Sequence, residues 1–246
     1  MSAKPNIVEF QAASTQPTSE EGGMKAHIRV LSVDDHPVIR RGIGTVINKE
    51  SDMRVVAQAS SGTEAIQMLR EVRPDVTLME LRLPDMNGID AIIAIRTEFP
   101  DACIIVLSIS EADYEIQRAL AAGAHSYLLK TMPPREMVKA IRRVCAGKKR
   151  LPTEVAIRLA EHAGDKALSE REMEVLQLVG EGKRNHDIGQ RLRISQETVK
   201  AHLKHIKGKL GANNRTHAIT IAARRGIIQP CESFDKQLAE GENQHR

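Results

Sequence analysis

The chain has no tryptophan, and only five of its 246 residues are phenylalanine or tyrosine. That scarcity argues against a stacking platform for single-stranded nucleic acid, which needs aromatic faces. Its three cysteines, Cys103, Cys145 and Cys231, are odd in number and widely spaced. They fit a reducing cytoplasm rather than a disulfide framework. Cys103 falls within an apolar run and reads as core packing. No apolar stretch approaches the ~18 residues of a membrane span, so no membrane association is expected. The first residues lack the charged start and apolar stretch of a signal peptide. Gly42-Ile43-Gly44 is no dinucleotide fingerprint, because Ile47 stands at the third glycine position. No Walker-type loop, metalloprotease helix or nucleophile elbow occurs.

What is present is unevenly charged. Residues 28–147 carry 15 Lys/Arg against 16 Asp/Glu, and residues 168–228 carry 12 against 6. A near-neutral half followed by a half of net +6 points to a nucleic-acid partner for the second half alone. An apolar content of 41% suffices for two modest cores. The expected organisation is a disordered extension at 1–26, a first domain at 27–147 and a linker at 148–167. A second domain at 168–228 and a polar tail at 229–246 complete it. The extension is rich in Ser, Thr, Gln and Glu, a composition that cannot bury enough apolar surface to fold.

Short apolar runs at 28–33, 54–59, 76–79, 103–108 and 126–129 alternate with amphipathic stretches. The latter lie at about 38–49, 63–73, 88–97, 112–122 and 134–146. Five strand–helix units predict a doubly wound, five-stranded parallel sheet covered on both faces. In such sheets ligands collect beyond the carboxyl ends of the strands, where the strand order reverses. Asp34 and Asp35, Glu80, Ser108 and Lys130 all end strands and therefore share that rim. Two adjacent carboxylates with a third nearby make an oxygen-rich site for Mg²⁺, with Asp34, Asp35 and Glu80 as its ligands. A hydroxyl and a lysine beside them suit contact with a phosphoryl group.

The second half is helical throughout. Ser169-Glu170-Arg171-Glu172 is a capping box ahead of Val175-Leu176 and Leu178-Val179. A short helix spans Asn185 to Leu192, Arg193-Ile194 makes a tight turn, and a longer helix runs from Ser195 to Leu210 until Gly211 stops it. A fourth helix, Arg215 to Arg225, is closed by Gly226, and Pro152 to His162 forms a short helix in the linker. At about 100° per residue, Val199, Leu203, Ile206 and Leu210 fall on one stripe, which faces the core. Ala201 and Gly208 lie opposite, flanked by Lys200 and Lys204 on one side and His205 on the other. Small residues at the centre let the backbone approach DNA, so this helix suits the major groove of double-stranded DNA. The last helix presents Ile219, Ala222, Ala223 and Ile227, which suit either a two-fold dimer contact or inward packing. His202 and His205 suggest structure or phosphate contact rather than a metal site, since no cysteine pair accompanies them.

The rim constellation, with the loop Leu81-Arg82-Leu83-Pro84-Asp85-Met86-Asn87-Gly88, resembles the receiver (CheY-like) domain of two-component response regulators. The resemblance implies that Asp34 and Asp35 are metal-site acids, Ser108 the switch hydroxyl, Tyr127 the switch aromatic and Lys130 the invariant lysine. It also implies a cognate histidine kinase as partner. Lys130 is followed by Thr131-Met132-Pro133 rather than directly by proline. The larger departure is Glu80, which holds the phospho-acceptor position where the family has aspartate. Its carboxylate reaches about 1.5 Å further, one bond length, and placement errors of about 1 Å can cost roughly 100-fold in rate. Phosphorylation is thus expected to be impaired. The carboxylate also moves charge of −1 towards the place of a phosphoryl group carrying about −1.5 to −2. Partial mimicry of the active state, an inert receiver and a substitution of the native aspartate all remain open.

Leu168 to Ile228 resembles the helix-turn-helix domain of the NarL/FixJ (LuxR-type) regulators. The resemblance rests on Leu168-Ser169-Glu170-Arg171-Glu172-Met173-Glu174-Val175-Leu176, Ile194-Ser195-Gln196-Glu197-Thr198-Val199-Lys200-Ala201-His202 and Lys209-Leu210-Gly211-Ala212-Asn213-Asn214-Arg215-Thr216. It implies base contacts by Lys200, Ala201 and Lys204, and phosphate contacts by Thr198, His202 and Lys207. The implied protein is a cytoplasmic transcription factor, not an enzyme, that binds DNA as a homodimer. A rival reading is a phosphorylation-independent regulator whose receiver only docks or dimerises, which Glu80 favours. A remoter one is a phosphoryl-transfer enzyme. Arg82 argues against it, standing where a second catalytic aspartate would be needed.

Overall fold

The computed structural model describes residues 27–148, 151–162 and 164–228. The expected disorder at 1–26, the tail at 229–246 and Cys231 lie outside these residues. The first half alternates strand and helix: β1 (Ile28–Val33), α1 (Pro37–Asn48), β2 (Met53–Ala59), α2 (Gly62–Val72) and β3 (Val76–Met79). It continues through α3 (Gly88–Glu98), β4 (Ile104–Ser108), α4 (Asp113–Ala121), β5 (Ser126–Leu129) and α5 (Pro134–Cys145). The strands are parallel, in the order β2-β1-β3-β4-β5.

Successive strand residues face opposite sides of a sheet, so a strand covered on both sides must be apolar at every position. In β4, Ile104 and Val106 join the core on the α2–α3–α4 side, while Ile105 and Leu107 join the core beneath α1 and α5. Tyr127 and Leu129 of β5 face the first of these cores, and Leu128 between them faces the second. Cys103 lies just before β4 rather than in the strand, and packs half-buried against the core beneath α1 and α5. Its carbonyl accepts the Thr77 N–H at 2.8 Å.

The chain leaves β1 for β2 on one side and returns to β3 on the other, so the order reverses between β1 and β3. The crevice at their carboxyl ends receives Asp34 and Glu80. Gly88 closes that crevice. Its N–H donates to Leu81 O at 2.7 Å, and a Cβ there would sit 2.2 Å from the Glu80 carbonyl oxygen. Only glycine allows α3 to start this close to the strand end.

The linker helix α6 (Thr153–Glu161) buries Val155 completely in the core on the α2–α3–α4 side. It is packed against the first domain rather than spanning open solvent. Four further helices follow: α7 (Glu170–Gly180), α8 (Asn185–Leu192), α9 (Gln196–Leu210) and α10 (Arg215–Arg224). Their shared core includes Val175, Leu176, Ile188, Val199, Ile206 and Ala222. Ser169 and Glu172 cap α7 reciprocally, as the capping box predicts. The turn between α8 and α9 is tight because Arg193 is left-handed (φ 53°) and Gly189 brings α8 against Ile194 O, where a Cβ would lie at 2.8 Å. Ile219 and Ala222 are buried, and Ile227 packs against the same core, so α10 resolves largely towards inward packing.

Among the described residues, a buried ion pair centres the contact between the two halves. Arg225, just past α10, donates to Asp113 at the start of α4, with Nη2 2.8 Å from Oδ2, and to Asp165 at 2.6 Å. The Tyr114 N–H donates to Arg225 O at 3.2 Å, and the Tyr114 hydroxyl lies 2.9 Å from Met173 Sδ on α7.

Candidate functional site

Glu80 and Asp34 are almost completely buried, at 3% and 1% exposure, and Ser108 is buried entirely. Carboxylates out of water must be satisfied by partners. Glu80 Oε1 accepts the Ser108 hydroxyl at 2.9 Å and the N–H groups of Leu81 at 2.5 Å and Arg82 at 3.1 Å. Its Oε2 is in contact with the Lys130 ammonium. The same ammonium lies 2.5 Å from Asp34 Oδ2, so one lysine neutralises two strands' acids. The lysine is positioned by its backbone, whose N–H donates to Ser108 O at 2.8 Å. Burial works to lower the Lys130 pKa, but Asp34 and Glu80 outweigh it and hold the ammonium above its ordinary value.

The structure therefore brings together Asp34, Glu80, Ser108 and Lys130, as the strand ends predict, while Asp35, next to Asp34, pairs with His36. The resident carboxylate of Glu80 already touches both the hydroxyl and the ammonium read from sequence as phosphoryl contacts. Tyr127 is fully buried, and its hydroxyl donates to Ser110 O at 2.9 Å. Burial raises its pKa well beyond the ordinary phenol range. Tyr127 thus ties the loop after Ser108 to β5, three residues before the Asp113–Arg225 pair.

A divalent cation has a plausible cradle. Asp34 Oδ2 is buried and accepts no hydrogen bond of adequate geometry, although it faces the ammonium. Donor atoms of Asp34, Asp35 and His36 lie within 4.8 Å of one another. His36 escaped the sequence reading. Its N–H donates to Asp34 Oδ1 at 2.9 Å, and its Nδ1 is 2.7 Å from Asp35 Oδ1. The oxygen donors of Asp34 and Asp35 suit a hard cation. Glu80, expected from sequence as a third ligand, is not part of this group.

The loop that frames the rim is pinned by Asp85, which accepts the N–H of Gly62 and of Thr63, each at 2.8 Å. The Thr63 side chain leads the interactions that hold the Asp85 carboxyl down at about 2.

In the second half, α9 is oriented by its base. Ser195 caps it by accepting the Thr198 N–H at 3.0 Å. Lys209 Nζ donates to the buried Glu172 carboxylate at 2.6 Å and to Ala167 O at 3.0 Å, locking α9 onto α7. Val199 and Ile206 are buried. Lys200, Ala201, Lys204, His205 and Gly208 are exposed, while His202 and Lys207 are half-buried. The contact between the two halves leaves this face open. Among the described residues no metal-holding group includes His202 or His205, and no helix is long and apolar enough to cross a membrane.

Comparison with known proteins identifies both domains. Residues 30–142 match the response regulator receiver domain, and residues 166–222 match the bacterial regulatory proteins of the luxR family. The response regulator protein VraR of Staphylococcus aureus is 36% identical over 207 residues, covering 82% of this chain and 99% of that protein. Among solved structures, RcsB of Salmonella enterica serovar Typhimurium, bound to a promoter in the presence of phosphomimetic BeF3⁻, is 29% identical. That match covers 80% of this chain and 98% of the other, with a TM-score of 0.65. A structure of two RcsB dimers bound to two parallel DNAs has 28% identity and a TM-score of 0.64, covering 80% of this chain and 98% of the other.

Proposed function

This chain belongs to the LuxR family of DNA-binding two-component response regulators, and on that premise we propose that Glu80 keeps its receiver switched without a phosphoryl group. One observation carries the reading: Glu80 reaches Ser108 at 2.9 Å and also the Lys130 ammonium, the two groups that would meet a phosphoryl group. The extra methylene supplies the reach, and the buried Tyr127 fixes the adjoining loop. The receiver is then not a phosphotransfer enzyme but a fixed element that presents α4 to the DNA-binding half. Mg²⁺, when bound, would be held by Asp34 and Asp35 and would supply only charge screening beside Glu80. The protein acts in the cytoplasm and grips its operator as a homodimer, with Lys200, Ala201 and Lys204 at base edges and Thr198, His202 and Lys207 at phosphates. A histidine kinase can dock without leaving a stable phosphoryl group.

Intact-mass spectrometry after treatment with a small phosphodonor and Mg²⁺ tests the central point. The chain should show no stoichiometric adduct, and Glu80→Asp should gain one. DNA affinity of the untreated chain should equal or exceed that of untreated Glu80→Asp. An adduct on the unsubstituted chain would overturn the proposal.

A further inference from the structure

α9 carries one acidic residue, Glu197, amid four lysines and two histidines. Its position sets it apart from an ordinary surface charge. Glu197, Ala201, Lys204 and Gly208 are spaced by four, three and four residues and form a single helical stripe. That stripe lies opposite the buried Val199 and Ile206, and all four of its members are exposed. Glu197 is also the second residue of α9, and residues near the start of a reading helix meet base edges. With the small side chains of Ala201 and Gly208 next along the stripe, the backbone can approach the groove floor closely.

A carboxylate carried to that floor loses water and faces a polyanion. It is tolerated only where a donor meets it. The major groove offers two base amines, N4 of cytosine and N6 of adenine. Adenine N6 is flanked by the N7 acceptor, which repels a carboxylate. Within its own base, cytosine N4 has only a C–H neighbour. Glu197 is moreover paired: Lys200 Nζ lies 2.8 Å from its Oε1, with both side chains exposed. The pair presents one acceptor and one cationic donor side by side, matching the N4 amine of a cytosine and the O6/N7 acceptors of a guanine.

We propose that Glu197 is a specificity-determining residue that accepts a hydrogen bond from a cytosine N4 amine, with Lys200 held beside it for guanine. The carboxylate also disfavours sequences lacking that cytosine, because the oxygen that Lys200 does not hold is then left buried without a donor. The plainer alternative is a solvated charge that complements the helix dipole. That role would leave base preference untouched.

The test is a binding selection on randomised duplexes with the full chain, Glu197→Gln and Glu197→Ala. The unsubstituted chain should require cytosine at one position, by roughly 5- to 150-fold over other bases. Glu197→Ala should lose preference there and nowhere else. Glu197→Gln should turn the same position towards adenine, since an amide can donate to N7 while accepting from N6. Glu197→Gln keeps size and helix propensity, so it reads the site even if the alanine variant is unstable. An unchanged motif in both variants, with affinity rising equally for every sequence, overturns the proposal. If the unsubstituted chain selects no motif at all, sequence-specific reading by α9 fails together with the proposal.

Discussion

The acid rim and the reading helix treat charge in opposite ways. At the rim, Asp34, Glu80 and Lys130 point inward and neutralise one another out of water. On α9, Lys200 and Lys204 point outward, Lys200 beside the exposed Glu197, and Lys209 is spent on a buried partner, Glu172. A buried cluster is satisfied or it is ruinous, and at the rim Lys130 meets both carboxylates. An exposed cluster is nearly neutral for stability and is available for a polyanion. The rim's charges are met within the chain, whereas those of the reading helix face outward.

Removing the rim's cation is the strongest way to break this contrast. Lys130→Met leaves two buried carboxylates facing each other, and urea denaturation should show a loss of about 3–5 kcal/mol. Adding Glu80→Gln should recover much of it. A loss below about 1 kcal/mol would mean the rim is hydrated like a surface and the contrast is false.

Next in size is the junction between the regions. Arg225→Ala strands Asp113, but that carboxyl can regain water if the halves part, so the expected cost is about 1–3 kcal/mol. Small-angle scattering should report a more extended molecule. An unchanged scattering profile would show that Arg225 does not hold the halves together.

The reading helix should respond in binding rather than stability. Lys200→Ala should cost on the order of 1–3 kcal/mol in affinity and relax preference at particular base pairs. Lys207→Ala should weaken all sequences alike and reduce the slope of log affinity against log salt by about one. Uniform losses in both variants, with unchanged preference, would place specificity outside α9.

The smallest effect concerns the one ionic contact of α9 that resembles the rim. Burial would raise the Glu172 pKa, yet Lys209 and Ser169 prevail and hold it below its ordinary 4.5. A carboxyl depressed on folding contributes stability above its unfolded pKa and loses it as pH falls through the folded value. Acidification below pH 4.5 should therefore weaken α9–α7 docking, and Glu172→Gln should flatten that part of the profile. An unaltered acid limb would assign it to other carboxyls.

Much of this is legible in the sequence. Strands covered on both faces are apolar at every position, so their ends announce themselves when a charge appears. Asp34, Glu80, Ser108 and Lys130 were found that way. The capping box and the stripe of Val199, Leu203, Ile206 and Leu210 are equally local signals. His36 was missed because it lies past the strand end, where no periodicity marks it. Arg225 was missed as an interdomain contact because its partner Asp113 is 112 residues away.

The sequence by itself determined the two domains, the rim's membership, the charge division and the glutamate at the acceptor position. These follow from composition and from side-chain periods of about 2 and 3.6 residues. The tertiary structure alone decided that Glu80 reaches Ser108 and Lys130, that α10 packs largely inward, and that the docked halves leave α9 open. Each depends on distances between residues far apart in the chain, which no local pattern encodes.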